Sequence, residues 1–129
     1  MKPLIPEGIR LSPHYYPGMR SGNIITTAGI VPIQPDNQVF APYDAKEQTR
    51  YIIGILKKIL AEGGAGLKDV TYIHSYFVKQ EYMADVFAVL HETFGERIPP
   101  HTGTWVREGS FSSGEGICLE LEFLAVVED

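Results

Sequence analysis

Two carboxylates, Glu120 and Glu122, interrupt an otherwise apolar run from Gly116 to Val127. Read as a strand, the run turns Ile117, Leu119, Leu121, Phe123 and Ala125 to one side. Cys118, Glu120, Glu122, Leu124 and Val126 then line the other. The first side is a core face. The second is too apolar for a plain solvent face and too acidic for a plain core. A face of that kind meets another subunit, and a carboxylate on it either pairs with a cation or serves a pocket. In a partly buried pocket a carboxylate can be tuned to act as a general acid or base. The two glutamates lie ~6.6 Å apart along a strand, so one can pair while the other does chemistry.

Other polar side chains offer less. His14, His74, His91 and His101 are far apart in the sequence and lack the spacings that preset a metal site, so no metal is expected. No glycine-rich phosphate cradle is present either: Gly63, Gly64 and Gly66 end a helix rather than begin one. No cofactor is therefore expected. His101 can hydrogen-bond a substrate, polarise a carbonyl or carry a proton, and it can equally pack against a backbone carbonyl. Arg107, six residues further on, falls on the same face of an extended strand and could supply an anion partner, although a solvated surface arginine is the plainer reading. Tyr15 and Tyr16 are adjacent and cannot point the same way in an extended segment. Trp105 reads as an interface residue, and Cys118, with no His–Asp constellation around it, as a small buried thiol.

The elements that must position these groups are legible as pattern. Arg10 to Tyr16 reads as a strand, with Pro17-Gly18 as the turn into a second strand at Ile24 to Ala28. Pro32 to Tyr43 reads as a loop. Asp44 caps a helix, Glu47 completes a capping box, and Ile52, Ile55, Leu56, Ile59 and Leu60 recur on one face before Gly63-Gly64. Val70 to Val78 reads as a buried strand. A second helix runs from Glu81 to Phe94, with Met83, Val86, Phe87, Leu90 and Phe94 inward and Gly95 closing it. A strand at Thr102 to Val106, a turn from Gly109 to Gly116 and the final strand complete the order β-β-α-β-α-β-β.

Composition bounds the class. The chain has 129 residues, enough for one domain spanning its whole length, with 44% hydrophobic and 21% charged residues. Its net charge is −5 without a basic cluster, which argues against nucleic acid as a partner. One cysteine permits no internal disulfide. That, with an N-terminus lacking an apolar signal region and no membrane-length apolar run, predicts a cytoplasmic protein. Two amphipathic helices can cover one face of a four- to five-stranded sheet but not both. The other face, carrying the glutamates, predicts a homo-oligomer with sites at subunit junctions.

Several landmarks recur in a known order: Gly22-Asn-Ile-Ile-Thr-Thr-Ala-Gly29 followed by Pro32, Gln48-Thr49, Gly66-Leu-Lys-Asp-Val70, Ile98-Pro99, and Leu119-Glu-Leu-Glu-Phe-Leu-Ala125. With these the chain resembles the YjgF/RidA superfamily over nearly its whole length. The resemblance implies an α+β, chorismate-mutase-like fold, with two helices on one face of the sheet, assembled as a homotrimer. It implies a cofactor-independent deaminase in which water adds to an enamine or imine of a small-molecule substrate in a pocket between subunits. By position the family glutamate falls on Glu122, leaving Glu120 for pairing. The family tyrosine falls on Tyr15, and its Ser-Gly step on Ala28-Gly29. The family pattern Pro-Ala-Arg-Ser becomes Pro99-Pro-His-Thr102, so His101 replaces the arginine that binds a substrate carboxylate. Phe87 stands where a helix asparagine is common, and Thr102 and Gly103 complete the implied substrate wall. These departures leave two alternatives open: a non-catalytic small-molecule-binding or regulatory trimer, and a pathway-specific enzyme of altered chemistry acting on a ring or dienoate. Some family members are described as ribonucleases or translation inhibitors, which the acidic charge disfavours here.

Overall fold

The structure, a computed structural model, describes residues 1–111 and 114–128. In chain order the strands and helices are β1 (Lys2–Leu4), β2 (Gly18–Ser21), β3 (Ile24–Thr27), α1 (Ala45–Glu62), β4 (Val70–Phe77), α2 (Tyr82–Phe94), β5 (His101–Trp105) and β6 (Leu119–Val126). The strands form one six-stranded sheet in the order β1-β2-β3-β6-β4-β5. All pairings are antiparallel except β4 with β5. The parallel pair is joined by α2, as a crossover requires. This is the expected α+β architecture with one strand more than predicted.

The difference lies at the N-terminal end. Arg10 to Tyr16 is not a strand; the chain there bends through Pro13, His14 and Tyr15. Pro17-Gly18 is not a turn, because β2 begins at Gly18, and the β2–β3 reversal is made at Gly22-Asn23. The expected turn from Gly109 to Gly116 includes Ser112 and Ser113, which lie outside the described residues.

Local chemistry explains the helices. The Asp44 carboxylate accepts the Glu47 N–H at 3.0 Å, and Gly64, at φ 72°, takes the left-handed conformation beyond the end of α1. The apolar stripe of α1, including Ile52, Leu56, Ile59 and Leu60, is buried against the sheet. Gln48 is fully buried and ties three segments together. Its amide donates to the Ala41 and Gly116 carbonyls at 3.0 and 2.8 Å and accepts the Cys118 N–H at 2.8 Å. The start of β6 is thereby fastened to α1. Along β6, Leu119, Leu121, Phe123 and Ala125 are buried towards the helices, while Glu120, Glu122, Leu124 and Val126 are part-exposed on the opposite face.

Candidate functional site

Register decides which groups meet. Thr26 opposes Leu124 and Ile30 opposes Leu121, so the chain advances four residues against three on β6. The surplus residue is a bulge, and it lies at Thr27 to Gly29. There the Thr27 hydroxyl oxygen, in place of a backbone carbonyl, accepts the Phe123 N–H at 3.0 Å. The Ala28 N–H donates to the Pro17 carbonyl at 2.9 Å and the Ile30 N–H to the Leu121 carbonyl at 2.7 Å. Between these two fixed peptides, the Gly29 N–H has no acceptor among the described residues.

The bulge presses Gly29 against Glu120. A β-carbon at position 29 would stand 2.7 Å from the Glu120 carboxyl group, so any other residue there would push the carboxyl end of that side chain aside. No ion pair among the described residues engages Glu120. Burial, and then the charge of Glu122, push its carboxyl above the usual carboxylate range.

Glu122 is differently placed. It accepts the Tyr76 hydroxyl at 2.7 Å and lies 3.5 Å from His74 Nδ1. His74 stacks on Tyr76 at 4.2 Å between ring centroids, and its Nε2 meets the Thr104 hydroxyl at 2.8 Å. That geometry fits an imidazole donating through Nδ1 and accepting through Nε2. The hydrogen bond to Glu122 is the main cause holding the Tyr76 phenol up at about 12, so it remains a donor. Within one chain, Glu122 is the hydrogen-bonded carboxylate, beside Tyr76 and His74, and Glu120 is the one held against the glycine step.

His101 lies elsewhere. It opposes Ile73 across the β4–β5 pair, on the helix-facing side, whereas Glu122 opposes His74 on the other side. Its Nε2 is 2.8 Å from the buried Ser75 hydroxyl, and its ring meets Phe87 edge-on at 4.8 Å. Burial, and secondarily His74, lower its pKa, so it is neutral at pH 7 and cannot replace a guanidinium as a fixed cation. The Ser75–His101 pair resembles a nucleophilic dyad, but Ser75 is 0% exposed and no substrate can reach it. Gly103 shares the His101 face, and Thr102 points to the open face beside His74. Arg107 lies beyond the end of β5, exposed.

Tyr15, Ala28 and Gly29 do come together, lining a small cleft of ≈ 60 Å³ with Arg10 and Ser12. Sequence reasoning missed Arg10 because it read residues 10 to 16 as a strand. A wider cavity, ≈ 540 Å³, between Tyr43, Tyr82, Glu108 and Phe111 contains none of the expected site residues. Cys118 is a buried free thiol as expected, its pKa raised by burial. Among the described residues no cluster could hold a metal ion, and no helix is long and apolar enough to cross a membrane.

The family model described as endoribonuclease L-PSP matches residues 9–127. The chain belongs to this family, the YjgF/RidA superfamily. Among its relatives, the 3-aminoacrylate deaminase RutC of Acinetobacter baylyi is 35% identical over 98 residues, covering 74% of this chain and 77% of that protein. A RutC family protein of Pyrococcus abyssi is 32% identical over 114 residues, covering 88% and 87%. The crystal structure of the YjgF gene product of E. coli superposes with a TM-score of 0.84 at 23% identity, covering 99% of this chain and 100% of that one. RidA from an Antarctic Psychrobacter gives 0.84 at 16% identity, covering 98% and 100%. The RidA-like fold is thus shared along the whole chain. Within this chain, the expected site residues fall into three groups: Tyr15, Ala28 and Gly29 at the cleft, the glutamates and Thr102 on the open face, and His101, Phe87 and Gly103 on the helix side.

Proposed function

We propose that this chain is a cofactor-independent deaminase that hydrolyses a small enamine or imine to a carbonyl compound and ammonia. The observation that carries the reading is the Glu120 carboxylate, held against the Gly29 step and in no ion pair among the described residues. A carboxyl with a raised pKa near a free backbone donor suits proton transfer to and from water. The likeness to a relative named as a 3-aminoacrylate deaminase supports the reaction class.

An enamine first tautomerises to its imine. Glu120, ionised, takes a proton from water as the water oxygen bonds to the imine carbon. The C=N electron pair moves to nitrogen, which receives that proton from the carboxyl, giving a carbinolamine. In the second half the carboxylate takes the hydroxyl proton and passes it to nitrogen as the C–N bond breaks. Ammonia leaves, C=O forms and the carboxylate is restored. Gly29 N–H and the Tyr15 hydroxyl orient the reacting group. Ala28, beside them, forms wall.

His101, Phe87 and Gly103 sit on the far side of the sheet, about 10 Å from β6 across two strand spacings. One pocket containing them and Glu120 therefore needs a second copy. The part-exposed face bearing Tyr72, His74, Tyr76 and Leu124 gives that copy a surface to cover, and a homotrimer places one such pocket at each junction. There His101 acts as a neutral hydrogen-bonding group and Thr102 adds a hydroxyl. The lone buried thiol suits a reducing compartment such as the cytoplasm.

The test is release of ammonia and carbonyl product from imines generated in situ by an amino-acid oxidase. Glu120→Gln should lower the rate by about 10²–10⁴-fold with the fold intact. Full activity in Glu120→Gln alongside loss in Glu122→Gln would transfer the role to Glu122. No acceleration by the wild type on carboxylated, aromatic or neutral imines would overturn the deaminase reading.

A further inference from the structure

A substrate carrying a carboxylate needs a cation, and the expected position offers only the neutral His101, already engaged with Ser75. Five arginines remain to be considered. Arg20 donates to the Gly22 and Gly63 carbonyls. Arg50 is bound by Glu47 and bidentately by Glu92. Arg97 and Arg107 are exposed, after α2 and after β5. Arg10 alone among them lines the cleft with Tyr15 and Gly29.

Its setting is that of an anion anchor. Arg10 Nε donates to the Asn37 side-chain oxygen at 3.1 Å, and Asn37 is fixed in a left-handed turn at φ 68°. This bond orients the guanidinium plane from behind. The two terminal nitrogens, the fork that matches a carboxylate, have no acceptor among the described residues, and no carboxylate neutralises them. Ser12 and Tyr15 line the same cleft, with Ile9, Ile33, Ile55 and Ile59. At ≈ 60 Å³ the cleft has room for a carboxylate group. Gly29 borders both places: its backbone forms cleft wall and its α-carbon faces Glu120.

We infer that Arg10 is a carboxylate-binding residue of this cleft, held in position by Asn37, and that it seats the acid end of a bound small carboxylate beside Gly29. The inference rests on the deaminase reading for its substrate but not for its ligand, since the anchor binds any small carboxylate. Arginine has moved from the final third of the chain to the loop before β2, and specificity has moved with it. Asn37 is a positioning residue that acts through Arg10.

Two measurements test this. The first compares kcat/KM for an imine bearing a free carboxylate with that for its carboxamide counterpart. Arg10→Gln should lower this ratio at least about tenfold, mainly through KM, the usual cost of losing a charge-assisted bond. Asn37→Ala should lower it by a smaller factor in the same direction, and Arg107→Gln should leave it unchanged. The second is calorimetric binding of pyruvate, weakened about tenfold or more in Arg10→Gln and retained in Arg107→Gln. An unchanged ratio and unchanged pyruvate affinity in Arg10→Gln overturn the inference, as does a loss confined to Arg107→Gln. A wild type inert on every imine, with pyruvate binding that depends on Arg10, rejects the deaminase and keeps the anchor.

Discussion

The two faces of β6 differ in kind although their residues alternate in one strand. Towards the helices, Leu119, Leu121, Phe123 and Ala125 are buried by the chain itself, and packing accounts for all four. On the other face, Glu120 and Glu122 stand among Tyr76, His74 and Leu124, only partly covered. Burial is complete on the side that needs nothing else and incomplete on the side that carries charge. Packing and charge are thus separated by the pleat, one residue's rise apart, and a neighbouring pair of substitutions should separate stability from the proposed chemistry experimentally.

Leu121→Ala is the strongest way to break the packed side. It removes a fully buried side chain next to the Ile30 bridge, and should cost about 2–5 kcal/mol in urea unfolding. Turnover per folded molecule should change far less than in Glu120→Gln. If Leu121→Ala abolished turnover at unchanged stability, the division between the faces would be wrong.

Protons sharpen the other side. The Glu120 carboxyl titrates above the usual range because burial and Glu122 disfavour its charge. The proposed deamination needs the carboxylate, so kcat/KM should fall as pH drops through this raised pKa, earlier than for an ordinary glutamate. Stability moves in the opposite sense. The folded state holds this proton more tightly than the unfolded chain. The resulting stabilisation is full below the unfolded pKa and is lost as pH rises through the folded one. In Glu120→Gln both dependences should flatten, as read by pH–rate profiles and by melts across the acid range. A carboxylate locked in a cation pair would show the reverse slope in stability.

The helices and the in/out pattern of β6 were legible because both follow local periodicity. Asp44 as cap, the α1 stripe and the burial of Leu119, Leu121 and Phe123 needed only the spacing of residues in one segment. β1 was not legible: three residues including Pro3 carry no period, and their pairing partner lies beyond Gly18. The strand expected at Arg10 to Tyr16 was suggested by its tyrosines, but Pro13 and Pro17 break the ladder. For the site, the open-face glutamates could be named, and only family position, not their own spacing, assigned the chemistry to Glu122 and the pairing to Glu120. Which one is paired depends on Tyr76 reaching from β4, and which one meets Gly29 depends on a one-residue bulge. Neither is written in either strand alone. Arg10 was hidden for the same reason, since its value comes from Asn37 and from a cleft wall contributed by α1.

The smallest effect tests the polar pair on the packed side. Ser75 and His101 have the atoms of a nucleophile and its base, at 2.8 Å, yet sit beneath α2 with Phe87 across the ring. If burial makes this pair structural, Ser75→Ala removes one hydrogen bond and leaves Nε2 without its partner. The cost should be about 1 kcal/mol in urea unfolding. Turnover should fall by no more than severalfold, through looser placement of His101 at the subunit junction. A reactive serine would instead take turnover to the spontaneous rate while stability stayed nearly unchanged. The sign of that pattern separates the two faces, because in Glu120→Gln it is turnover that collapses, and the loss of a buried charge raises stability at neutral pH rather than lowering it.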